Sequence, residues 1–427
     1  MNLRDDLAFR GLIHQVTDDA IFDRLEAGGV TVYAGFDPTA SSLHLGHLLQ
    51  LCNLRRLQLA GNRPIALAGG GTGLIGDPSG RANERTLLSQ DDLDANVANI
   101  RQQLGRFLDF TDDAGPTKAV LLDNAAWLTT ISLTDFLRDI GKHFTVNQMI
   151  ARESVKSRLE RPDVGISFTE FSYMLLQAYD FLRLHIDHGC SLQIGGSDQW
   201  GNIVGGAELV RRVSGGAAYG LTSPLLVDSA GNKYGKTTTG NQNLWLDDSL
   251  TSAFQLHQFL LNAEDELTPT LVRFFTFLDH DEIASLDQSI RDEPQKRRAQ
   301  RTLANEVVEL VHGSNAARAA ERAGEVMFSE DISELDEATL LQVVADAPTS
   351  DLSRDELAAG VDTAELLARS GLASSRGEAR RFIEQGGIYV NNVRVDASTS
   401  LTLDQTLHGR YLVLRRGRRQ THLITVS

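Results

Sequence analysis

The chain has 427 residues, with 41 Lys and Arg against 57 Asp and Glu and a formal net charge of −16. That length requires two or three domains, and the acid excess excludes a uniformly basic nucleic-acid-binding protein. No apolar run approaches the roughly 20 residues of a membrane span, the start MNLRDDLAFRGL lacks a basic-then-apolar leader, and Cys52 and Cys190, far apart in apolar stretches, argue for a reducing cytoplasm rather than a disulfide framework or a structural zinc site.

VTVYAGF (30–36) reads as a strand of β-branched and aromatic residues, followed by a helix from about Leu43 to Ala60 that Gly61 stops. Its start, within FDPTASSLHLGHLLQ (36–50), carries His44 and His47 three apart, hence on one helix face, after serines suited to an N-cap. Nitrogen donors at the positive end of a helix dipole suit phosphate; the plainer alternative is two surface histidines. RPIALAG (63–69) is apolar enough for a strand covered on both faces. GTGLIG (71–76) matches the dinucleotide fingerprint, but DPSGRANERT follows it, which is loop chemistry where the fingerprint needs an apolar helix. AVLLD (119–123) is a third strand.

FTEFSYMLLQAYDFLRLH (168–185) has Phe171, Met174, Leu175, Ala178 and Leu182 at helical spacing. Beside that stripe, Tyr173, Gln177 and Asp180 stand at i, i+4 and i+7, either lining a pocket for a small polar molecule or forming a half-exposed face. SLQIGG (191–196) is a fourth strand before another helix. Strands alternating with helices predict an α/β, Rossmann-like, doubly wound parallel sheet, with ligands beyond the carboxyl ends of its strands, where His44 and His47 lie. GNKYGKTTTG (231–240) is one residue short of a phosphate loop; with Lys233 and Lys236 it suits a loop over phosphates, or a solvated hairpin tip.

Residues 1–245 therefore read as the catalytic domain and 246–328 as a helical domain, in which Pro294 opens and Gly313 closes a helix bearing Lys296, Arg297, Arg298 and Arg301. Residues 329–360 hold nine acids and one base, an acidic linker with one short helix in DEATLLQVVAD. Residues 361–427 hold 10 bases and 6 acids, leaving 31 and 51 for the rest of the chain. In this small, basic α+β tail, SRGE (375–378) reads as a capping box opening a helix with Arg380 and Arg381. RRGRRQ (415–420) reads as a hairpin tip with Arg415, Arg416, Arg418 and Arg419 placed for phosphate.

HLGH is similar to the HIGH signature of class I aminoacyl-tRNA synthetases, and KYGKT to their KMSKS loop. YAGFDPTASSLHLGH, GLIGDPSG, ISFTEFSYMLLQAYDF and LQIGGSDQWGNI together resemble the bacterial tyrosyl-tRNA synthetases, and the resemblance runs along the whole chain. The tail from TAELLARSGL onward is similar to an RNA-binding module shared with a small-subunit ribosomal protein. The resemblance implies activation of L-tyrosine by ATP, with Mg2+ accompanying the nucleotide and no tightly bound protein-ligated metal, then transfer to tRNA(Tyr) by a homodimer. It implies that Thr39 and His44 grip the terminal phosphate and His47 meets the ribose region, that Gly46 gives the nucleotide room, and that Lys233, Lys236, Thr237, Arg81 and Arg85 act on the phosphates. It further implies Tyr33 and Asp180 on the phenol hydroxyl, and Asp77, Tyr173 and Gln177 on the ammonium. Gly35, Asp37, Asp198 and Gln199 complete the adenylate surroundings. Arg81 stands where the family often has lysine, and Ala34 where some relatives have cysteine. Against a tryptophanyl enzyme stand Asp180 opposite Tyr33 and the basic tail. Against an HxGH nucleotidyltransferase without tRNA stand the KYGKT loop and the tail, and against an RNA-binding protein without catalysis the complete His and Lys sets.

Overall fold

The computed structural model describes residues 2–79, 88–152, 155–156, 159, 165–228, 231, 234–235, 243–326, 330–345, 347–396, 398–417 and 420–427. Arg81, Arg85, Lys233, Lys236, Thr237, Arg418 and Arg419 lie outside them. Two units form, one from residues 1–251 and 263–303, the other from residues 252–262 and 304–427. Among the described residues no helix is long and apolar enough to cross a membrane.

The first unit is built on strands β1 (Gln15–Val16), β2 (Thr31–Phe36), β3 (Arg63–Ala68), β4 (Val120–Asp123), β5 (Cys190–Gly196) and β6 (Tyr219–Ser223), in the order β1-β6-β5-β2-β3-β4. The five from β6 to β4 are parallel, and β1 runs antiparallel along β6. Chain order reverses between β2 and β5, so the sheet has its switch point there, where doubly wound folds bind ligands. TVYAGF can sit at that centre because all its side chains are buried and its one exposed residue, Gly35, has none. The helix Phe168–His188 covers the sheet with Met174, Leu175, Ala178, Phe181 and Leu182, which join Tyr33, Ile65 and Leu67 in one core. Each such large apolar side chain contributes about 1.5–3 kcal/mol on burial. Gly189, in the left-handed region at φ 65°, ends that helix and turns the chain into β5.

Two buried arginines close the C-terminus of the helix Thr268–Phe275. Arg10 donates to the carbonyls of Thr276 and Leu278, and Arg56 to those of Phe274 and Thr276. Orphan carbonyls at a buried helix end need such partners. Burial lowers the Arg56 guanidinium to about 10, which leaves it charged at neutral pH.

The second unit carries β7 (Thr349–Leu352), β8 (Val361–Asp362), β9 (Ile388–Val390), β10 (Val393–Arg394), β11 (Ser400–Leu401), β12 (Tyr411–Arg416) and β13 (Gln420–Val426). Five of them form a sheet ordered β10-β9-β12-β13-β7, in which only β7 runs parallel to its neighbour, and β8 pairs with β11. The acidic stretch 329–360 holds the helix Glu337–Val343, β7 and the helix Arg354–Ala358. Leu340, Val343 and Val344 pack in one core with Ala320, Ala323, Tyr411, Val413 and Leu423. Ser375 caps the helix Arg376–Glu384 by accepting from the Glu378 N–H at 3.2 Å, but the Glu378 carboxylate accepts from the Ser374 N–H at 2.6 Å. The expected reciprocal box is thus displaced by one residue, because Ser374 also offers its hydroxyl.

Candidate active site

Beyond the carboxyl ends of β2 and β5 lies a cavity of about 1030 Å³. Tyr33, Gly35, Asp37, Thr39, His44, Gly46, His47, Asp77, Tyr173, Gln177, Asp180, Asp198 and Gln199 all line it. These residues come from well-separated parts of the sequence, and the switch point brings them together.

His44 is the N-cap of the helix Leu45–Leu59, a role the sequence assigns to the preceding serines. Ser42 is instead buried and donates to the Leu43 carbonyl. The His44 backbone is extended, at φ −126° and ψ 173°, and its Nδ1 accepts from the Gly46 N–H at 3.1 Å. His47 reaches back, its Nδ1 accepting from the His44 N–H at 3.2 Å. The rings stack with centroids 3.9 Å apart. A ring nitrogen that accepts carries no proton, so in the neutral form both imidazoles are protonated on Nε2 and present that N–H as a donor. Gly46 has a reason beyond leaving room for a nucleotide. A Cβ there would stand 3.0 Å from His44 Cε1, where the capping imidazole lies.

GGGTG, after β3, is not a dinucleotide loop. It makes a 3₁₀ turn, Thr72–Leu74, that brings backbone onto the site's acids, and a Cβ at Gly69 would lie 2.2 Å from an Asp37 carboxylate oxygen.

The deep end of the cavity is a hydrogen-bonded network. Asp180 is 2 % exposed, and accepts from Asn124 at 2.9 Å and from the Trp127 indole N–H at 2.7 Å. Asn124 also donates to the Thr72 hydroxyl, which donates to Asp37 at 2.8 Å, and Asp37 accepts from the Tyr173 hydroxyl at 2.7 Å. A second chain joins Gln177 to Gln199 at 3.2 Å and Gln199 to Asp77 at 2.6 Å. Burial pushes the Asp180 carboxyl up to about 8, against the two donors that hold it down. Burial and the nearby Asp180 hold the Tyr33 phenol well above its ordinary value, so it stays protonated. Among the described residues its hydroxyl has no hydrogen-bond partner. A buried polar group of that kind normally finds one, and a ligand hydroxyl at this end would supply it.

Asn124, Trp127 and Thr72 are absent from the set of residues picked out in the sequence. Asn124 directly follows β4, at the carboxyl end of a parallel strand, and that position is the signal that marks it. Of the Gly-Lys loop, Tyr234 and Gly235 line the cavity. In the second unit Arg380 and Arg381 are exposed, Arg415 is buried with its guanidinium 4.8 Å from the Tyr389 ring centroid, and Arg416 lies 3.6 Å from that of Phe382.

Residues 26–329 match the family model for tRNA synthetases class I (W and Y), and residues 339–424 match that of the tyrosine–tRNA ligase SYY-like C-terminal domain. The chain is 50 % identical to the tyrosine–tRNA ligase of Roseiflexus castenholzii over 98 % of both chains, and 49 % identical to that of Geobacillus stearothermophilus over 99 % of both. It is similar in structure to a C-terminally truncated mitochondrial tyrosyl-tRNA synthetase of Aspergillus nidulans, with a TM-score of 0.67 and 34 % identity, covering 76 % of this chain and 93 % of that one. With a switch-point cavity that pairs two helix-capping histidines with a buried Tyr33–Asp180 end, the chain belongs to the tyrosine–tRNA ligases, within the class I tRNA synthetases.

Proposed function

We propose that this cavity holds L-tyrosine and ATP together and that its two ends divide the work of activation. Tyr33 and Asp180 take the phenol hydroxyl. Asp77, Gln177 and Tyr173 take the ammonium, with Gln199 and Asp37 fixing their positions. The substrate carboxylate then attacks the α-phosphorus in line and pyrophosphate leaves. No protein nucleophile is needed, because the attacking oxygen is already ionised, so catalysis rests on positioning and on donors to the phosphates. His44 and Thr39 supply such donors, His47 and Asp198 meet the ribose region, and Gly35 and Gly46 leave the nucleotide space. Mg2+ arrives on the ATP phosphates as part of that substrate. Lys233, Lys236, Thr237, Arg81 and Arg85 extend the phosphate grip from outside the described residues. In the second step a terminal ribose hydroxyl of tRNA(Tyr) attacks the acyl carbon and AMP leaves. The observation that carries this reading is one cavity lined by both the stacked His44–His47 pair and the Tyr33 hydroxyl, which has no hydrogen-bond partner among the described residues.

The module from residue 361 onward is proposed to contact the tRNA backbone through the exposed Arg380 and Arg381, together with Arg416 and, from outside the described residues, Arg418 and Arg419; Arg415, expected from the sequence to join them, is buried against the Tyr389 ring and is withdrawn from that set. Pyrophosphate exchange should require L-tyrosine in the full chain. Replacing Arg380 and Arg381 with Ala should leave exchange unchanged, weaken tRNA charging, and flatten its salt dependence by a slope of about one to two. Equal charging by variant and parent across a salt series would remove these two arginines from the interface.

A homodimer in the cytoplasm completes the reading. The pairing is supported by exposed apolar side chains in the first unit. Leu133 and Leu137 stand four apart, as do Val146 and Ile150, and all four are exposed, while Phe136, Ile140 and Met149 between them enter the core. Phe168 is 77 % exposed. Sedimentation should report a dimer that Phe168→Asp splits at micromolar concentration; a parent that sediments as a monomer refutes the pairing.

A further inference from the structure

We infer that Trp245, in the segment that leaves the Gly-Lys loop, is a positioning residue for His44. This rests on the reading of His44 as a phosphate donor and adds a group that the reading does not use.

The backbone of residues 243–246 lies across the start of the helix Leu45–Leu59. His44 and Trp245 form an antiparallel bridge, with the Leu45 N–H donating to the Leu244 carbonyl at 3.0 Å and the Leu246 N–H to the Leu43 carbonyl at 2.8 Å. On its other side the Leu244 N–H donates to the Gly235 carbonyl at 2.9 Å. Gly235 has a φ of +102°, and a Cβ there would stand 3.2 Å from that of Leu45. One short segment therefore ties the end of KYG to the backbone of HLGH. The extended conformation that makes His44 a cap is stabilised from outside its own helix.

The side chain of Trp245 completes the arrangement. Its ring centroid lies 6.3 Å from that of His44 at an interplanar angle of 54°, and the indole lines the same cavity. The His44 ring thus has His47 stacked on it and Trp245 tilted beside it. The indole is held in turn by its backbone, since the Trp245 N–H donates to the buried Thr251 hydroxyl at 3.0 Å. An imidazole on a two-torsion side chain needs such contacts to keep its Nε2–H directed at a phosphate. Without the indole the ring can swing toward the vacated space, and a donor displaced by about 1 Å costs on the order of 10²-fold in rate.

The test is a double-mutant cycle on the full chain, read by ATP–pyrophosphate exchange at saturating tyrosine. Trp245→Ala should lower kcat about 10- to 100-fold without changing KM for tyrosine. In a His44→Ala background the same change should cost less than about two-fold. Trp245→Phe, which keeps a flat ring, should recover most of the rate, and Trp245→Leu, which keeps apolar bulk without a flat ring, carries the same cycle if the alanine variant does not fold. Losses that multiply in both backgrounds, beside a defective His44→Ala, would overturn the role of Trp245 alone. A His44→Ala variant with undiminished exchange would overturn the reading of His44 as well.

Discussion

His44→Ala is expected to lower the kcat of tyrosine-dependent pyrophosphate exchange by about 10²–10³-fold, the range for loss of one preorganised donor to developing charge, with KM for tyrosine unchanged. On the proposed reading the phosphates and the tyrosine occupy separate parts of one cavity, so a donor used only in the transition state lowers the rate and leaves ground-state tyrosine binding alone. The alanine variant also loses the Nδ1 acceptor for the Gly46 N–H, and a lost N-cap costs about 0.5–2 kcal/mol of helix stability. His44→Asn separates the two effects. Asparagine is a good N-cap, so the fold should recover while the rate does not, because the amide cannot place a donor where Nε2 stands. If His44→Asn restored both the thermal midpoint and the exchange rate, His44 would be a cap and nothing more.

Above about pH 8, where Asp180 is ionised, Asp180→Asn is expected to reduce selection of tyrosine over phenylalanine by about 10- to 100-fold, since a hydrogen bond to a charged partner contributes about 1.5–3 kcal/mol. Tyrosyl-tRNA synthetases are themselves the reference example of a site that rejects an analogue lacking a paired hydroxyl. The carboxyl, raised to about 8, gains charge as pH rises toward that value. Only the ionised form accepts the phenol at full strength, so the kcat/KM ratio of tyrosine to phenylalanine should climb from pH 6 to pH 8 in the parent and stay flat in the Asn variant. A flat ratio in the parent would mean that Asn124 and Trp127 keep Asp180 ionised throughout. An unchanged ratio in Asp180→Asn would place Asp180 away from the phenol. Asn124 and Trp127 donate to different oxygens of Asp180, so the substitution keeps an acceptor for one of them and sets an amide N–H2 against the other, an unsatisfied arrangement costing about 1–3 kcal/mol, and thermal unfolding should register it.

The central sheet is legible in the sequence because strands buried on both faces read as apolar runs: TVYAGF, RPIALA and CSLQIG need no tertiary information to be found. The polar stripe Tyr173, Gln177 and Asp180 is legible because helical spacing puts it beside the apolar one. Other features are hidden for physical reasons. β1 and β6 are Gln15–Val16 and YGLTS, too short or too mixed to show a period, and pairing with each other and with β5 defines them. β7, TSDL, carries no alternation and lies in a stretch dominated by acids; its parallel pairing with β13 joins Thr349 to Leu423, 74 residues further along the chain. The N-cap falls on His44 rather than on a serine because the 243–246 segment fixes the backbone there, a contact no local rule contains. Asn124 and Trp127 have ordinary residue types for a strand end and a short helix, and only the fold brings them to Asp180. The network around Asp37 is invisible for the same reason, since Thr72 and Tyr173 reach it from separate elements.

A crystal structure of the full chain with a hydrolysis-resistant tyrosyl-adenylate mimic tests the central claim most directly, because it occupies both ends of the cavity at once. The tyrosyl hydroxyl should lie within about 3 Å of both the Tyr33 hydroxyl and an Asp180 carboxylate oxygen, and the ribose and adenine should lie along the start of the helix Leu45–Leu59 beside Gly46 and His47. A mimic bound with its phenol away from Asp180, or with its adenosine off that helix start, would contradict the account.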